Sequence, residues 1–457
     1  MNERVSISFI GDLLCWAEQI ELAYSSDTNQ YNFDESFNCV KKYFQNSDYV
    51  VGNLETTVSG ATAGYTSNSS SQFKRTMFNA PDEFAISIKN AGVDFVSTSN
   101  NHCLDRDIAG LIQTIHTLDK IGLEHTGTYL TKEESEGVFI KEIRGIKFAF
   151  ITCTYGVNYS THGMALPDEK NWMVNTVSRS KIYTSYNDYQ YFRDDDLSII
   201  EKISYRLTGF TKAKKDRIFL ERILAKIDKA KSFGVDHIIV LSHIGPEFQR
   251  YPSGFAMNLI NKFINHGADI IISNHPHVLQ PMGCRKIKQK NGTVKNCFII
   301  YSMGNFLAAP VWGPPERTQK SLILNLDFRR NDNGISKLNE ISFVPTYIQH
   351  MNKDGQRCIR TVSVYDALMN KTVSSSIPDE ELTILRNYES VLQELCGVRK
   401  LKYDLSEKYH FKPENLRFSY KFYWADFIQN LKYFVYSAFW LLPISTLSII
   451  KKFILRK

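Results

Sequence analysis

Residue types that can bind a transition metal recur through the first two thirds of the chain. The candidates combine carboxylate, amide and imidazole donors, and they are Asp12, Glu55, Asn101, His243, His275 and His277. This mixture suits Zn, Mn or Fe, and not Ca or Mg alone. Six donors exceed one tetrahedral site, whereas two ions about 3.5–4 Å apart and bridged by a carboxylate would use all of them. One or two divalent transition ions are therefore expected.

Single members of this set have ordinary alternatives. Asp12 after Gly11 is as typical of a turn or helix N-cap as of a metal ligand, and Asn101-His102 could begin a capped helix. His275-Pro276-His277 is the strongest local signal, because an extended i, i+2 pair would place both imidazoles on one face. The combination favours a metal site.

The candidates follow short apolar runs that are rich in β-branched and aromatic residues. Such runs predict strands, and they are Val5–Ile10, Tyr49–Val51, Phe95–Thr98, Ile146–Thr152, His237–Ser242, Ile270–Ser273 and Cys297–Ser302. In open α/β sheets, ligands bind at the carboxyl ends of the strands. Six strand ends deliver Asp, Glu, Asn or His to that edge. Asn53, Glu247 and Asn305 lie in the same segments, where they could orient ligands or meet substrate.

Amphipathic stretches lie between several of these strands. They predict helices over 81–90, 108–118, 217–233 and 256–265. The alternation predicts an α/β fold, and the later runs Ser321–Phe328 and Ile341–Val344 predict added antiparallel strands. Residues 155–195 are typical of either a lid or a surface insertion, and residues 373–384 of a linker with an N-capped helix start at Ser376/Pro378.

The charge of the chain is unevenly distributed. Residues 398–457 carry 12 Lys/Arg and 4 Asp/Glu, a net +8, and the other 397 residues carry −1. This excludes a generally basic nucleic-acid binder, so no nucleic-acid partner is expected. The chain divides into a body over 1–360 and a helical, basic tail over 361–457. Eight cysteines without a CxxC pair indicate reduced thiols.

The tail also contains an apolar segment. Residues 433–450 are uncharged and flanked by Lys432 and Lys451, which is the lower length limit for a membrane span. Pro443 weakens a full span, so a helix at the membrane surface is favoured, with packing on the body as the alternative. No signal peptide is recognisable at Met1, so the chain is expected on the cytoplasmic side, associated with the membrane through this segment.

Six segments of the chain resemble the CapA family of capsule and poly-γ-glutamate synthesis proteins, which is related to calcineurin-like metallophosphoesterases. The segments are FIGDLL (9–14), VVGNLET (50–56), GVDFVSTSNNHCLD (92–105), LSHIGPEF (241–248), GADIIISNHPHVLQP (267–281) and YSMGNFL (301–307). The resemblance runs from about Ser6 to Leu307. It implies a four-layer αββα sandwich with the site at the strand ends.

The resemblance also implies roles for the site residues. Asp12 and His277 would hold one metal, and Glu55 would bridge to a second. Asn101, His243 and His275 would hold that second ion. His102 would remain free of metal and act as general acid.

The chain departs from the metallophosphoesterase pattern at four positions. Leu14 stands where a ligating His is usual, and Glu55 replaces a bridging Asp. Asn274 stands where relatives often have another His, and Asp107 where Gly is common. The loss of a donor at Leu14 predicts a weaker first metal, or only one tightly bound ion.

Three functions follow. The first is a metal-dependent hydrolase that acts on an anionic polymer, or its phosphorylated precursor, in capsule-type synthesis. The second is a non-catalytic, membrane-associated assembly factor in a polymer synthase complex, to which Leu14 gives weight. The third is a general phosphoesterase.

Overall fold

The computed structural model describes residues 3–67, 77–158, 166–178, 214–288, 294–309, 315–353, 355–388, 396 and 407–418. The strands are β1 Arg4–Leu13, β2 Tyr24–Ser25, β3 Gln30–Tyr31, β4 Tyr49–Leu54, β5 Phe95–Ser97, β6 Glu124–Thr126, β7 Phe139–Ile143, β8 Ile146–Thr154, β9 His237–His243, β10 Ile270–Asn274, β11 Met282–Lys288, β12 Val294–Ile300, β13 Asn305–Leu307, β14 Lys320–Arg330, β15 Ser336–Lys353, β16 Gln356–Ser363 and β17 Tyr409–Phe411.

Helices lie between many of these strands. They are α1 Ala17–Ala23, α2 Glu35–Asn38, α3 Lys41–Phe44, α4 Asp82–Asn90, α5 Asp107–Ile121, α6 Lys132–Ser135, α7 Lys214–Ser232, α8 Gly254–His266, α9 Pro315–Thr318, α10 Val364–Met369, α11 Lys371–Ser374 and α12 Asp379–Arg386, with 3₁₀ helices at Ala61–Ala63 and Asp168–Met173. The α/β prediction is confirmed.

Two sheets form the framework. The first has the strand order β16-β15-β14-β1-β4-β5-β6, with β13 paired to β1 and β17 paired to β15. The second has the order β11-β12-β10-β9-β8-β7. Strands β1, β4, β5 and β6 run parallel, as do β8, β9, β10 and β12. The carboxyl ends within each parallel set therefore share one edge.

The predicted strands are present, and several are longer than predicted. Val5–Ile10 is part of the 10-residue β1, and Ile341–Val344 lies within the 18-residue β15. Strands β14 and β15 are antiparallel additions, as expected. The run Cys297–Ser302 is displaced, because the strand ends at Ile300. Pro81 precedes α4, whose first turn begins at Asp82.

Apolar side chains of both sheets meet in a shared core. Phe148 of the second sheet packs edge-on against Phe328 of the first, with ring centroids 4.9 Å apart. Tyr49 and Phe150 make a similar contact at 5.7 Å. The outer faces of the sheets pack on helices, with Phe84 of α4 on the first sheet and Phe263 and other residues of α7 and α8 on the second. Both sheets are thereby held in fixed positions relative to the site.

The helix start predicted at Ser376/Pro378 is confirmed, because α12 begins at Asp379, but the prediction that residues 373–384 are otherwise a linker is wrong. Val373, Ile377 and Leu382 are each less than 10% exposed and pack into the core between the sheets. These three apolar residues are spaced four and five positions apart, and the Ser and Asp residues around them obscure this pattern in the sequence.

Part of the predicted tail also packs on the body. Strand β16 crosses the predicted boundary at residue 360, and β17 pairs with β15. The backbone N–H of Cys284 donates to the carbonyl of Leu416 at 2.8 Å, and Phe418 is buried against Tyr301. The two-part division stays a prediction, and residues 433–450 lie outside the described residues. Within the described residues, no helix has the length and apolarity needed to cross a membrane.

Candidate metal centre

The site lies where the carboxyl ends of the two parallel strand sets meet. In the first sheet, Asp12 lies in β1, Glu55 directly follows β4 and Asn101 lies in the loop after β5. In the second sheet, His243 ends β9 and His275 lies in the loop after β10. All five side chains are at most 2% exposed. Residues from distant parts of the sequence thus converge in one buried position.

Asp12 is positioned by a close backbone approach. Its N–H donates to the carbonyl of Gly304 at 3.0 Å. A Cβ on Gly11 would lie 2.0 Å from that same carbonyl oxygen, so only glycine fits at position 11. Asn305 opens β13 and pairs with Asp12 in the register of the first sheet. Asn305 thus lies after the end of β12, in the segment where it is expected, and it also begins a short strand of the first sheet.

Three groups of possible ligands have donor atoms that all lie within 4.8 Å of one another. One contains Asp12, Glu55 and His277, and another contains Glu55, His243 and His275. Glu55 belongs to both, which is the arrangement expected of a bridging carboxylate. The third group joins Glu247 to His275 and His277. The structure therefore brings the predicted donors together.

The donor spacing fits a transition metal. His243 Nε2 lies 2.8 Å from Asn101 Oδ1 and 3.1 Å from Glu55 Oε1. Donors that bind one ion at about 2.0–2.2 Å are themselves roughly 2.8–3.6 Å apart, from octahedral to tetrahedral geometry. These three atoms can therefore surround a single ion with little movement.

Glu55 provides a second test of the fit. Its side chain is fully buried, and neither carboxylate oxygen has a hydrogen-bond partner among the described residues. Burial, followed by the charge of Asp12, raises the pKa of Glu55 well above its usual value. His275 Nδ1 is likewise buried without a partner. Native proteins seldom leave such groups unsatisfied, and a cation would satisfy them.

The environments of the histidines differ. Burial, then the neighbouring His243, lowers the pKa of His275 well below its usual value, and burial lowers the pKa of His243 to about 3. Metal ligation requires neutral imidazole, so both are in the required form. Burial alone would lower the pKa of His277, but its contact with Asp12 raises it.

Asp12 and His277 form a close pair. His277 Nδ1 lies 3.5 Å from Asp12 Oδ2. Burial alone would raise the pKa of Asp12, but His277 and His243 lower it overall. His277 Nδ1 also lies 2.8 Å from Asn305 Oδ1, whose amide nitrogen donates to the Thr318 carbonyl. A proton on Nδ1 leaves Nε2, 3.8 Å from Glu55 Oε1, as the nitrogen for a metal.

Asn53 connects the two halves of the centre. Its Nδ2 donates to Asp12 Oδ1 at 2.7 Å and lies 3.2 Å from His243 Nδ1. It therefore orients one donor from each sheet, which agrees with the orienting role expected of it. Glu247 is exposed, and its close neighbours are His275 and His277.

His102 lies at the edge of the donor groups and is absent from all three. Its Nδ1 is 2.6 Å from Asp105 Oδ2, and Asp105 is fully buried. Asp105 Oδ2 also accepts the backbone N–H of Phe78 at 2.7 Å. This carboxylate holds the proton of His102 on Nδ1. The i, i+3 spacing of His102 and Asp105 is a sequence signal for this pair.

Asn158 is a further residue that sequence reasoning missed. Its Oδ1 accepts from Asn101 Nδ2 at 3.1 Å, and its Nδ2 lies 3.2 Å from His102 Nδ1. It follows β8, so the rule that strand ends supply site residues could have found it. The part of 155–195 that contains Asn158 thus contacts the site.

Two expectations about local geometry have clear outcomes. Leu14 is 1% exposed within an apolar cluster, so it supplies no donor. The expectation of an extended His275–His277 pair is wrong, because their φ angles are 98° and 57°. The two rings turn toward different donor groups, with centroids 5.9 Å apart. Such backbone angles are unusual outside glycine and concentrate at functional sites.

Comparison with known proteins gives the family. The model of the bacterial capsule synthesis protein PGA_cap family matches residues 6–310. The chain belongs to this family. All predicted metal donors, His102, Asn53, Glu247 and Asn305 lie inside the matched range. The resemblance to CapA proteins is therefore confirmed.

Two curated relatives of this chain carry CapA names, and a third is named only as uncharacterized. The chain is 25% identical over 398 residues to "Capsule biosynthesis protein CapA" of Bacillus anthracis, covering 86% of this chain and 80% of the relative. It is 25% identical to "PGA biosynthesis protein CapA" of Bacillus subtilis (strain 168), covering 73% and 70%. It is 22% identical to the uncharacterized protein y4sH of Sinorhizobium fredii, covering 59% and 61%.

Proposed function

We propose that this chain is a metal-dependent hydrolase in the synthesis of a capsule or poly-γ-glutamate type polymer, and that it acts on the anionic polymer or on a phosphorylated precursor. The observation that carries the proposal is Glu55, a buried carboxylate with two unpartnered oxygens between two groups of metal donors. The names of the Bacillus relatives support the biological setting.

The chain's own residues divide the work. When bound, Mn, Zn or Fe ions supply Lewis-acid polarisation and an activated water. Asp12, Glu55 and His277 would hold one ion, and Glu55, Asn101, His243 and His275 the other. His102 protonates the leaving oxygen or nitrogen from Nε2, because Asp105 keeps a proton on Nδ1.

Metal content tests the assignment of the centre. The His275→Ala chain should lose most bound transition metal and remain folded by circular dichroism. His116→Ala is the matched control, because His116 is exposed on α5. If His275→Ala keeps the metal stoichiometry of the unaltered chain, the centre is wrongly assigned.

A non-catalytic assembly role is the second candidate, and Leu14 favours it. An apolar residue at that position leaves the ion held by Asp12 and His277 with fewer donors. If chains with Glu55→Gln and His275→Ala still support polymer production in cells, the protein assembles a polymer synthase complex without hydrolysis. Activity on many small phosphate esters and none on polymer would instead indicate the third candidate, a general phosphoesterase.

We also propose the finer architecture and location. Helices outside two facing sheets support the four-layer αββα sandwich. The net charge of +8 over 398–457 and the apolar run 433–450 support membrane association through the C-terminal segment, on the cytoplasmic side. Its flanking lysines would contact anionic lipid.

A further inference from the structure

The loop after β9 is held against the segment that carries the two histidines. The Ile244 N–H donates to the carbonyl of Asn274 at 3.0 Å, and the Phe248 N–H donates to the carbonyl of Pro276 at 2.8 Å. Gln280 Nε2 donates to the carbonyl of Gln249 at 2.7 Å. These bonds tie both ends of the loop to one neighbour. Glu247 is therefore in a fixed backbone position although its side chain is exposed.

The backbone of this loop is strained at the residue after Glu247. Phe248 has a φ of 59°, which is unfavourable for an aromatic residue. Such strain costs about 1–3 kcal/mol and concentrates at functional sites. The Phe248 ring packs near His277 with centroids 5.9 Å apart. The strained turn thus places the residue before it beside the histidines.

The Glu247 carboxylate then reaches the metal donors. One of its oxygens and one nitrogen each of His275 and His277 all lie within 4.8 Å of one another. The loop approaches from the solvent side, whereas Asp12 and Glu55 are fully buried. Glu247 is therefore the donor on the solvent side of the centre, whereas Asp12 and Glu55 are the donors on the interior side.

The ion held by Asp12 and His277 has room for this donor. Leu14 packs in an apolar cluster and offers no ligand atom. Asp12, Glu55 and His277 provide three protein donors, and a carboxylate as the fourth donor would complete a tetrahedral set. We infer that Glu247 is a direct ligand of this divalent transition ion and replaces the donor that Leu14 lacks. The inference rests on the proposed metal centre.

Titration of metal-free protein with Mn²⁺ and Zn²⁺, followed by calorimetry and elemental analysis, tests the inference. Glu247→Ala should weaken one binding event at least 100-fold, which exceeds the 10–100-fold typical of groups that only orient ligands. The other binding event should change less than about threefold. Glu247→His, which places an imidazole nitrogen where the carboxylate was, should keep most of the metal affinity that Glu247→Ala loses. Co²⁺-loaded protein should show an altered visible spectrum in Glu247→Ala, because the spectrum reports coordination number.

Glu133→Gln is the charge-matched control, because Glu133 is exposed on α6. It should bind metal like the unaltered chain. If both affinities of Glu247→Ala stay within threefold of the unaltered chain, Glu247 is not a ligand and the inference is overturned. If the unaltered chain binds no metal, the proposed function fails as well, so the two failures are distinguishable.

Discussion

Glu55 is expected to destabilise the metal-free protein and to stabilise the metal-loaded one. Its two oxygens are buried without hydrogen bonds to any residue that the structure describes, and Asp12 adds like-charge repulsion. A buried unsatisfied polar group costs about 1–3 kcal/mol. Glu55→Gln removes the charge and supplies an N–H donor within reach of the Asp12 carboxylate. We expect the metal-free variant to be more stable than the unaltered chain by about 1–3 kcal/mol.

The corresponding shift in melting temperature follows from the size of the folded body. At roughly 2 cal/mol/K of unfolding entropy per residue over some 300 residues, 1 kcal/mol corresponds to about 1.6 °C. Metal-free Glu55→Gln should therefore melt about 2–5 °C higher. Metal at 100 times its dissociation constant stabilises the unaltered chain by about 2.7 kcal/mol, or about 4 °C. The variant should gain little from metal.

The assay is thermal unfolding of both chains after chelation and again after addition of Zn²⁺ or Mn²⁺. The order of the two melting temperatures should reverse, or nearly so, when metal is added. Glu133→Gln serves as a control for the loss of an exposed carboxylate. A metal-free variant that melts below the unaltered chain would show that the buried carboxylate is already satisfied. An equal metal-induced shift in both chains would show that Glu55 is not a ligand.

Three further outcomes are expected. His102→Ala should keep its metal and lose turnover by about 10²–10⁴-fold in a hydrolysis assay, and loss of metal would mean that His102 is a ligand. Burial lowers the pKa of His237 to about 3, so on acidification the unfolded chain protonates this histidine before the folded chain does. The free energy of unfolding should therefore fall between about pH 6.5 and pH 3, by up to about 1.4 kcal/mol per pH unit. Urea unfolding of His237→Gln should show a weaker dependence on acid pH. A chain that ends at residue 418, which keeps the buried Phe418, should stay in the soluble fraction of cells and the full chain should pellet with membranes. Recovery of the full chain in the soluble fraction would contradict the membrane proposal.

The sequence was sufficient to predict the convergence of the donors. Asp12, Glu55 and Asn101 lie at or just after the carboxyl ends of parallel strands of one sheet, and His243 and His275 at or just after those of the other. The carboxyl ends of parallel strands lie at the same edge of a sheet, so a residue at a strand's carboxyl end is placed at that edge. That rule needs only the strand boundaries, and these were marked clearly by β-branched runs.

Contacts that depend on loop geometry were not predictable in the same way. The left-handed angles of His275 and His277 result from tertiary packing, and no local residue preference indicates them. Asn158 reaches Asn101 and His102 from a stretch without clear periodicity. The burial of Ile377 was hidden because Ser and Asp residues dominate its surroundings.

Leu14 and Glu247 bear on the choice between the proposed catalytic role and the assembly role. Leu14 offers no donor, and the backbone of Phe248 beside the histidines is strained. The strain places a carboxylate where a donor is lacking. An assembly factor that used only the surface of this fold would not need the backbone strain at Phe248. Nor would it need the buried Glu55 oxygens, which have no hydrogen-bond partner among the described residues. Two independent destabilising features at one position therefore favour a centre that binds metal for chemistry.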